Sequence, residues 1–262
     1  MQKIVRKLLR AVADCDPDYY DMYADANEAW FGQLYLKRIL RHAQAVGIRP
    51  GASLLEAGCQ AGRLAIPLAR QGFHVTGIDT SRFALRRARE HAKAAGVRAE
   101  FIQGDLIRIL SDHRQRRFDV VVCAEVVYLS RQHQVMLQAL AHAVKPGGLL
   151  CVSHRPKFYY LLEALRQYDL ESASKVLLQH EGAFRDSTYF NWQTERELRA
   201  QYASLGVQWI DMHPIDQFAW LSGMSPSQLT NEERSQWLQL ELQSEQAPMC
   251  ARYVLVVAMK PK

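Results

Sequence analysis

Several features that mark particular classes of protein are missing from this chain. It has no run of about 18 consecutive apolar residues, so we expect no membrane span. It contains no internal repeat and no low-complexity tract. The basic stretch at residues 1–18 has an apolar part that is short and broken by charge. This pattern favours a surface helix over a signal peptide.

Cysteine is sparse, and its spacing matches no metal or disulfide pattern. The five cysteines are odd in number, include no CxxC pair, and three of them fall in or beside apolar runs. We therefore expect reduced, buried thiols in a cytoplasmic protein. The positions are Cys15, Cys59, Cys123, Cys151 and Cys250.

The chain does have enough apolar sequence for a full core. Of its 262 residues, 48% are hydrophobic and 23% are charged, which suits one large domain, with or without insertions. The net charge of +6 is concentrated in residues 51–150, with 14 basic and 8 acidic residues, whereas residues 151–262 carry 11 and 13. A nucleic-acid enzyme usually surrounds its substrate with basic residues, so this distribution argues against a nucleic-acid partner.

The most informative stretch is a glycine turn within LLEAGCQAGR, at residues 54–63. Apolar residues lead to Glu56, and Gly58 and Gly62 would let the backbone approach a ligand where a side chain would collide. Asp79 ends the next apolar run, 23 residues after Glu56. An acid about 20 residues on binds ribose hydroxyls in mononucleotide-binding folds, so this spacing predicts an adenosine-type cofactor.

Apolar runs and amphipathic stretches alternate from residue 53 to residue 153. This alternation indicates a parallel sheet with helices on both faces, and residues 120–124 are continuously apolar, as in a strand covered on both sides. The predicted strands are 53–57, 74–79, 98–103, 118–124 and 148–153, and the predicted helices are 62–71, 81–95 and 131–144.

The alternation stops after Ser153. Residues 155–193 show no clear strand, and capping boxes at residues 194–197 and 230–233 predict two further helices. Strands are predicted at 207–212 and 252–259, with residues 213–249 as an insertion between them.

Five segments occur in an order that resembles the class I S-adenosylmethionine-dependent methyltransferases. They are LLEAGCQAGRLAIPLARQG, HVTGIDTS, AEFIQGDL, FDVVVCAEVVYL and LQALAHAVKPGGLL. The resemblance implies a Rossmann-like, doubly wound α/β fold with a mostly parallel seven-stranded sheet, order 3-2-1-4-5-7-6, strand 7 antiparallel. We expect a helical lid segment at 1–45 and a methyltransferase domain at 46–262, with acceptor-pocket insertions at 155–193 and 213–249.

The resemblance also implies a site for S-adenosylmethionine and its product S-adenosylhomocysteine. Asp79 would bind the ribose hydroxyls, and Asp105 would accept from the adenine amine. The family usually has Gly where this chain has Gln60, and a positive φ there would cost about 1–3 kcal/mol. The residues implied as cofactor-binding are Glu56, Gly58, Cys59, Gln60, Gly62, Asp79, Thr80, Asp105, Leu106, Ala124 and Glu125.

Two other cofactor assignments have less support. An NAD site requires GxGxxG, whereas this chain has only Gly58 and Gly62, separated by three residues, and NAD binding leaves Asp105 without a role. We expect no metal, because Asp211 and His213 lack an evident third ligand.

Methyl transfer is an in-line displacement at a sulfonium carbon, so alignment supplies much of the rate. A hydroxyl acceptor also needs a base. His154, which follows the fifth strand, is our candidate base, although a structural role fits its position equally well. Tyr128, after the fourth strand, is the second catalytic candidate. We interpret Glu125 as structural or cofactor-side.

Aromatic residues flank the expected site in two segments. They predict a lid and an opposite wall suited to a modest organic acceptor, with ordinary core packing as the alternative. The lid candidates are Tyr20, Tyr23 and Trp30, and the wall candidates are Phe158, Tyr159, Phe190 and Trp192.

Together these features predict an enzyme that methylates an oxygen or nitrogen atom of a small organic molecule, as a monomer or homodimer. No Asn/Asp-Pro-Pro-Tyr motif and no Pro-Cys pair follow the fourth strand, which argues against methylation of nucleic-acid bases. An RNA or protein methyltransferase and a cofactor-binding protein without turnover stay open as alternatives.

Overall fold

A seven-stranded sheet organises the chain. The computed structural model describes residues 20–112, 116–184, 188–244 and 247–262. The first 19 residues of the expected lid segment, including Cys15, lie outside the described residues. The sheet order is β3-β2-β1-β4-β5-β9-β8, and β6 and β7 form a separate two-stranded sheet.

The strands are β1 (Ser53–Ala57), β2 (His74–Asp79), β3 (Ala99–Gln103), β4 (Phe118–Cys123), β5 (Val144–His154), β6 (Glu181–Phe184), β7 (Thr188–Asn191), β8 (Gln208–Ile215) and β9 (Tyr253–Met259). The helices are α1 (Ala26–Ala45), α2 (Ala65–Arg70), α3 (Arg82–Ala94), α4 (Leu106–Asp112), α5 (His133–Ala143), α6 (Lys157–Arg166), α7 (Leu170–Leu178), α8 (Glu195–Ser204), α9 (Phe218–Ser222) and α10 (Asn231–Gln243).

The predicted sheet topology is confirmed. Strands β1 to β5 pair in parallel, and β9 pairs antiparallel with β5 and β8. Strand order reverses between β1 and β4, and ligands of open α/β sheets bind at such a reversal, beyond the carboxyl ends of the strands. The topology therefore directs attention to the loops after β1, β2 and β4.

Helices cover both faces of the sheet. Residues of α1, α2, α3 and α10 pack on one face, and residues of α4, α5 and α8 pack on the other. The central strands are buried on both sides, because Val120, Val121 and Val122 have no exposed surface. Among the helices of the described residues, none combines the length and apolarity of a membrane span.

Side-chain caps and a left-handed glycine mark the ends of several helices. Ser81 caps α3, and Gly96 follows that helix with a φ of +68°. The predicted capping boxes of Thr194 with Glu197 and of Thr230 with Glu233 both form. Each box satisfies backbone N–H groups that the first turn of a helix leaves without partners.

The structure corrects three predictions of secondary structure. Residues 155–193 contain α6, α7 and the β6–β7 hairpin, where no clear strand was expected. Helix α4 was not predicted, because its seven residues are too few to show a helical period. Strand β8 continues to Ile215, three residues beyond the predicted end.

Three of the four described cysteines are buried, as predicted. Cys59, Cys123, Cys151 and Cys250 are free, and the first three are buried in the core. Burial raises the pKa of Cys151 to about 12, so this thiol stays protonated and behaves as an apolar group.

Candidate cofactor-binding site

A cavity of about 250 Å³ lies beyond the carboxyl ends of β1, β2 and β4. It brings together ten of the eleven residues that the sequence resemblance assigned to the cofactor, and Gly62 supports the turn beside them. The lining residues are Met22, Glu56, Gly58, Cys59, Gln60, Arg63, Ile78, Asp79, Thr80, Gly104, Asp105, Leu106, Ala124, Glu125, Val126 and Met136.

Six lining residues were not predicted. Ile78, Gly104 and Val126 are sequence neighbours of predicted residues, so the same motifs could have indicated them. Arg63 directly follows the glycine turn. Met22 and Met136 come from distant segments of the chain and carry no local signal. The six residues are Met22, Arg63, Ile78, Gly104, Val126 and Met136.

The turn after β1 requires glycine at two positions. Gly58 and Gly62 have φ angles of +78° and +89°. A Cβ on Gly58 would collide with Cγ2 of Val126, and one on Gly62 would lie 2.8 Å from Cδ1 of Ile66. The turn thus combines a left-handed backbone with close packing, and both conditions exclude larger residues.

Gln60 adopts the positive φ that its position in the turn required, at +43°. Its backbone N–H donates to Oδ2 of Asp79 over 2.9 Å. Its side-chain amide donates to the carbonyl of Tyr20 and accepts from the N–H of Met22. Gln60, which stands where the family usually has glycine, therefore joins the segment before α1 to the glycine turn through hydrogen bonds.

Asp79 is the last residue of β2, and Asp105 lies between β3 and α4. Oδ1 of Asp79 accepts from the N–H of Ser81 over 2.8 Å, so both carboxylate oxygens are oriented by backbone donors. Oδ1 of Asp105 accepts from the N–H of Arg108 at the start of α4. Each carboxylate still has lone pairs that can accept from a ligand.

Glu56 is a buried acid without a full set of partners. Only 4% of its surface is exposed, and its Oε2 is buried with no hydrogen-bond partner among the described residues. Burial raises the pKa of Glu56 to about 8, although the charge of Arg63 opposes the shift. A cationic ligand in the cavity would favour the ionised form of this carboxyl.

Arg63 lies between two carboxylates at the edge of the cavity. Its guanidinium donates to Oε1 of Glu125 over 2.8 Å and also to Glu28 of α1. Burial by itself lowers the pKa of Arg63, but the two carboxylates outweigh burial and hold that pKa above its usual value. The ion-pair network joins α1 to the loop after β4.

The structure does not support His154 as a base. The side chain is 1% exposed, and its Nε2 lies 2.9 Å from the hydroxyl of Tyr202 on α8. Burial lowers the pKa of His154 to about 3. The reason is strand alternation: His154 shares the α8 face with Val152, whereas Ser153 points towards the loop of Glu125.

Tyr128 lies near the cavity in a cluster of aromatic rings. It is 5% exposed, and burial raises its pKa to about 12 against the opposing charge of Arg155. The phenol is therefore protonated at neutral pH and can donate a hydrogen bond, but it is a poor base. The catalytic role predicted for Tyr128 is corrected in this respect.

Arg155, which sequence reasoning missed, sits at the centre of that cluster. Its guanidinium carbon lies 4.5 Å from the ring centroids of Tyr128 and Tyr159, 4.6 Å from that of Tyr253 and 6.0 Å from that of Tyr160. We call these five residues the tyrosine cluster. No sequence motif marks Arg155, because its neighbours come from three segments of the chain.

The tyrosine cluster holds a positive charge without a carboxylate. Nη2 of Arg155 donates to the hydroxyl of Tyr253 over 2.5 Å, and its Nε is buried without a partner. Within the described residues, no carboxylate lies at ion-pair distance from Arg155. By contrast, the nearby Arg252 lies 3.3 Å from Oδ2 of Asp216.

Some of the predicted lid and wall residues lie near the cavity, and others pack into hydrophobic cores. Trp30 belongs to the main core and Trp192 to a small core under α6 and α7, each 1% exposed. Core packing, the alternative reading, applies to both. Phe190 stacks 6.3 Å from Tyr128, and Tyr23 stacks 4.4 Å from His91.

The other aromatic candidates lie towards the surface. Tyr20 is 51% exposed, and Phe158 is 37% exposed with its ring 6.4 Å from that of Trp220. Tyr159 belongs to the tyrosine cluster. The cavity itself is lined by Met22, which lies between Tyr20 and Tyr23 in the sequence.

A larger cleft of about 580 Å³ lies between α5 and α8. Its lining includes His133, His180 and Glu197, but neither Asp79 nor Asp105. Because it lacks the glycine turn and the strand-end carboxylates, we assign the cofactor to the smaller cavity.

Comparison with known proteins agrees with this geometry. Residues 54–148 match the family described as "Methyltransferase domain". Those residues contain the glycine turn, Asp79, Asp105 and Glu125. These matches support the resemblance of the chain to the class I S-adenosylmethionine-dependent methyltransferase superfamily. The superfamily fold implied by the sequence is confirmed.

Curated proteins that this chain is similar to include the ubiquinone biosynthesis O-methyltransferase of Alkalilimnicola ehrlichii. It is 34% identical over 159 residues, which cover 60% of this chain and 64% of the relative. The chain thus spans less than two thirds of the length of the first curated relatives it matches.

Two solved structures share the fold along nearly the whole chain. Magnesium protoporphyrin IX methyltransferase from Synechocystis PCC 6803, with bound S-adenosylhomocysteine, has a TM-score of 0.64 and 18% identity, covering 99% of this chain and 100% of its own. The cyclase SpnF has a TM-score of 0.57 and 18% identity, covering 100% and 94%. At such identities the likeness describes the fold alone.

Proposed function

We propose that this chain transfers the methyl group of S-adenosylmethionine to an oxygen or nitrogen atom of a small organic molecule. The observation that carries the proposal is the cavity beyond β1, β2 and β4, with its glycine turn and strand-end carboxylates. The names of the curated relatives, which include O-methyltransferases, support methyl transfer and favour oxygen.

The residues present fit this cofactor. The turn at Gly58 lines the cavity, and the buried Oε2 of Glu56 lacks a partner among the described residues. Asp79 offers lone pairs suited to a ribose diol, and Asp105 offers lone pairs suited to an adenine amine. When bound, the sulfonium would supply an electrophilic methyl group, and alignment is the chief task left to the protein.

The tyrosine cluster supports an anionic acceptor. It directly follows β5 and contains Tyr128 from the loop after β4, so it adjoins the cavity at the same edge of the sheet. A guanidinium whose buried Nε lacks a partner favours a carboxylate or an ionised oxygen as its counter-charge. Aromatic rings around it would hold the apolar body of such an acceptor.

An anionic oxygen would also remove the need for a base. His154 is buried on the other face, and Tyr128 stays protonated at neutral pH. A guanidinium lowers the pKa of a neighbouring acid, so Arg155 would keep an acceptor carboxylate or phenol ionised. We therefore propose O-methylation of an organic anion as the finer form of the reaction.

The segment before α1 would act as a cover for the cofactor. Gln60 binds the backbone of Tyr20 and Met22, and Met22 lines the cavity. This arrangement supports the lid role expected of residues 1–45, with the contact made by Met22 rather than by Trp30. Residues 155–193 would serve the acceptor through Tyr159 and Phe190, which adjoin the tyrosine cluster.

Two measurements test the proposal. Calorimetric titration with S-adenosylhomocysteine should show binding that weakens by roughly tenfold to a hundredfold in Asp79→Asn, since hydrogen bonds to charged groups contribute about 1.5–3 kcal/mol. Transfer of radiolabelled methyl groups should favour aromatic and aliphatic carboxylates and phenols over amines. Absence of binding by the folded wild-type protein would refute the cofactor assignment.

A further inference from the structure

Two histidines and an aspartate converge away from the cofactor cavity. His42 lies near the carboxyl end of α1, and Asp211 and His213 lie on the edge strand β8. One donor atom from each lies within 4.8 Å of the others. The sequence showed Asp211 and His213 without a third ligand, and the fold supplies His42 as that ligand.

We propose that His42, Asp211 and His213 form a binding site for a divalent transition-metal ion of the zinc type. Two imidazole nitrogens and one carboxylate oxygen are a donor set that suits Zn²⁺ and Co²⁺. The site joins α1 to β8 and is separate from the proposed methyl-transfer reaction.

The distances between the donors match such an ion. The two Nε2 atoms are 2.6 Å apart, and Oδ2 of Asp211 lies 3.2 Å from Nε2 of His213 and 3.7 Å from Nε2 of His42. The centre of that triangle is about 1.9 Å from each atom, close to the ~2.0–2.2 Å of zinc bonds to nitrogen and oxygen. Tetrahedral binding would separate the two Nε2 atoms by less than about 1 Å more.

Hydrogen bonds alone cannot satisfy all the contacts among these three side chains. Each Nε2 carries either one proton or one lone pair, yet each faces two partners in the triangle. The imidazoles are 8% and 1% exposed, whereas the side chain of Asp211 is 45% exposed. An ion could use all three donors at once and take water as a fourth ligand on the Asp211 side.

Positive charges near the site oppose cation binding, and the carboxylate of Asp211 favours it. Arg38 and Arg41 of α1 place positive charge near His213, and the Asp211 carboxylate offsets part of it. The guanidinium of Arg38 donates to the carbonyls of Glu241 and Ser244, over 3.2 and 3.1 Å. These arginines predict a moderate affinity rather than a very tight one.

The test uses the full-length protein after treatment with a chelator. Titration with ZnCl₂, followed by calorimetry, should give one bound ion per chain. Co²⁺ should produce a visible absorption band without the charge-transfer band of a thiolate ligand. At about 100 times the dissociation constant, Zn²⁺ should raise the melting temperature by roughly 5–10 °C.

Matched variants locate the site. His42→Gln and His213→Gln should each weaken Zn²⁺ binding at least tenfold, and His74→Gln, which alters an exposed histidine on β2, should leave it unchanged. The wild-type titration stands even if a variant fails to fold. No binding by the wild type below about 10 μM Zn²⁺, or equal binding by the two site variants, would overturn the proposal.

Discussion

The cofactor cavity and the tyrosine cluster are neighbours that balance charge in different ways. In the cavity, Asp79 is oriented by backbone N–H groups of residues close to it in sequence or in the adjoining turn. In the cluster, Arg155 is surrounded by aromatic rings and receives no carboxylate from the described residues. The first region is a set of local motifs, and the second is an assembly of distant segments.

Because their charges differ, the cofactor cavity and the tyrosine cluster should bind different kinds of ligand. Carboxylates held by backbone donors favour neutral or cationic partners such as a diol or an amine. A guanidinium held among tyrosines favours an anion with an apolar body. We therefore expect substitutions in the two regions to affect different ligands.

The largest effect should come from Gly58→Ala. The positive φ costs about 1–2 kcal/mol, and the collision with Val126 adds about 1–3 kcal/mol of overpacking, so stability falls and binding of S-adenosylhomocysteine is lost. Gly47→Ala is the control, because Gly47 has a φ of +80° with no atom near its Cβ position. Urea unfolding measures the stability of both variants, and calorimetry measures their binding of S-adenosylhomocysteine. Equal losses of stability in the two variants would contradict the argument that Gly58 is required by its packing against Val126.

Arg155→Gln should separate the two regions. Methyl transfer to a carboxylate acceptor should fall roughly 10²–10³-fold because the acceptor loses its counter-charge, while affinity for S-adenosylhomocysteine stays within about twofold of the wild type. Arg166→Gln is the control, since Arg166 also lies over an aromatic ring but pairs with Glu163. An unchanged rate in Arg155→Gln would contradict the anionic acceptor.

Glu56→Gln should flatten the dependence of stability on pH. In the wild type, below pH 4.5, the Glu56 carboxyl is protonated in both the folded and the unfolded state. Between pH 4.5 and about 8 this carboxyl ionises only in the unfolded state, so the free energy of unfolding falls as pH rises. The fall amounts to a few kcal/mol and ends above about pH 8. Urea unfolding at pH 5 and pH 8 measures it, and the same slope in both proteins would show that Glu56 ionises when buried.

The smallest effect should come from Gln60→Gly. Relief of about 1–2 kcal/mol of backbone strain is offset by the greater unfolded-state entropy of glycine, about 0.5–1 kcal/mol, so stability changes little. Loss of the contacts to Tyr20 and Met22 should weaken S-adenosylhomocysteine binding by a few fold. Gln60→Asn, which tolerates a positive φ but has a shorter side chain, should weaken binding similarly.

The structure brings predicted residues together at one cavity where the contacts that orient them are local. Gly58, Asp79 and Asp105 lie at strand ends, so one turn or one helix start settles where each of them points. Prediction from the sequence failed for His154, because a strand end has two faces and the sequence does not show which one meets the cavity. Trp30 and Trp192 failed for a related reason, since aromatic residues at helical spacing pack into a core as readily as into a pocket.

By itself, the amino-acid sequence determined the alternation of strands and helices, the glycine turn and the carboxylates that follow β2 and β3. These features depend on hydrophobic period and backbone geometry over a few residues. Only the tertiary structure decided the surroundings of Arg155 and the meeting of His42 with His213, 171 positions apart. Such contacts arise when α1 packs across the sheet and the insertions fold over its edge, and no local pattern records them.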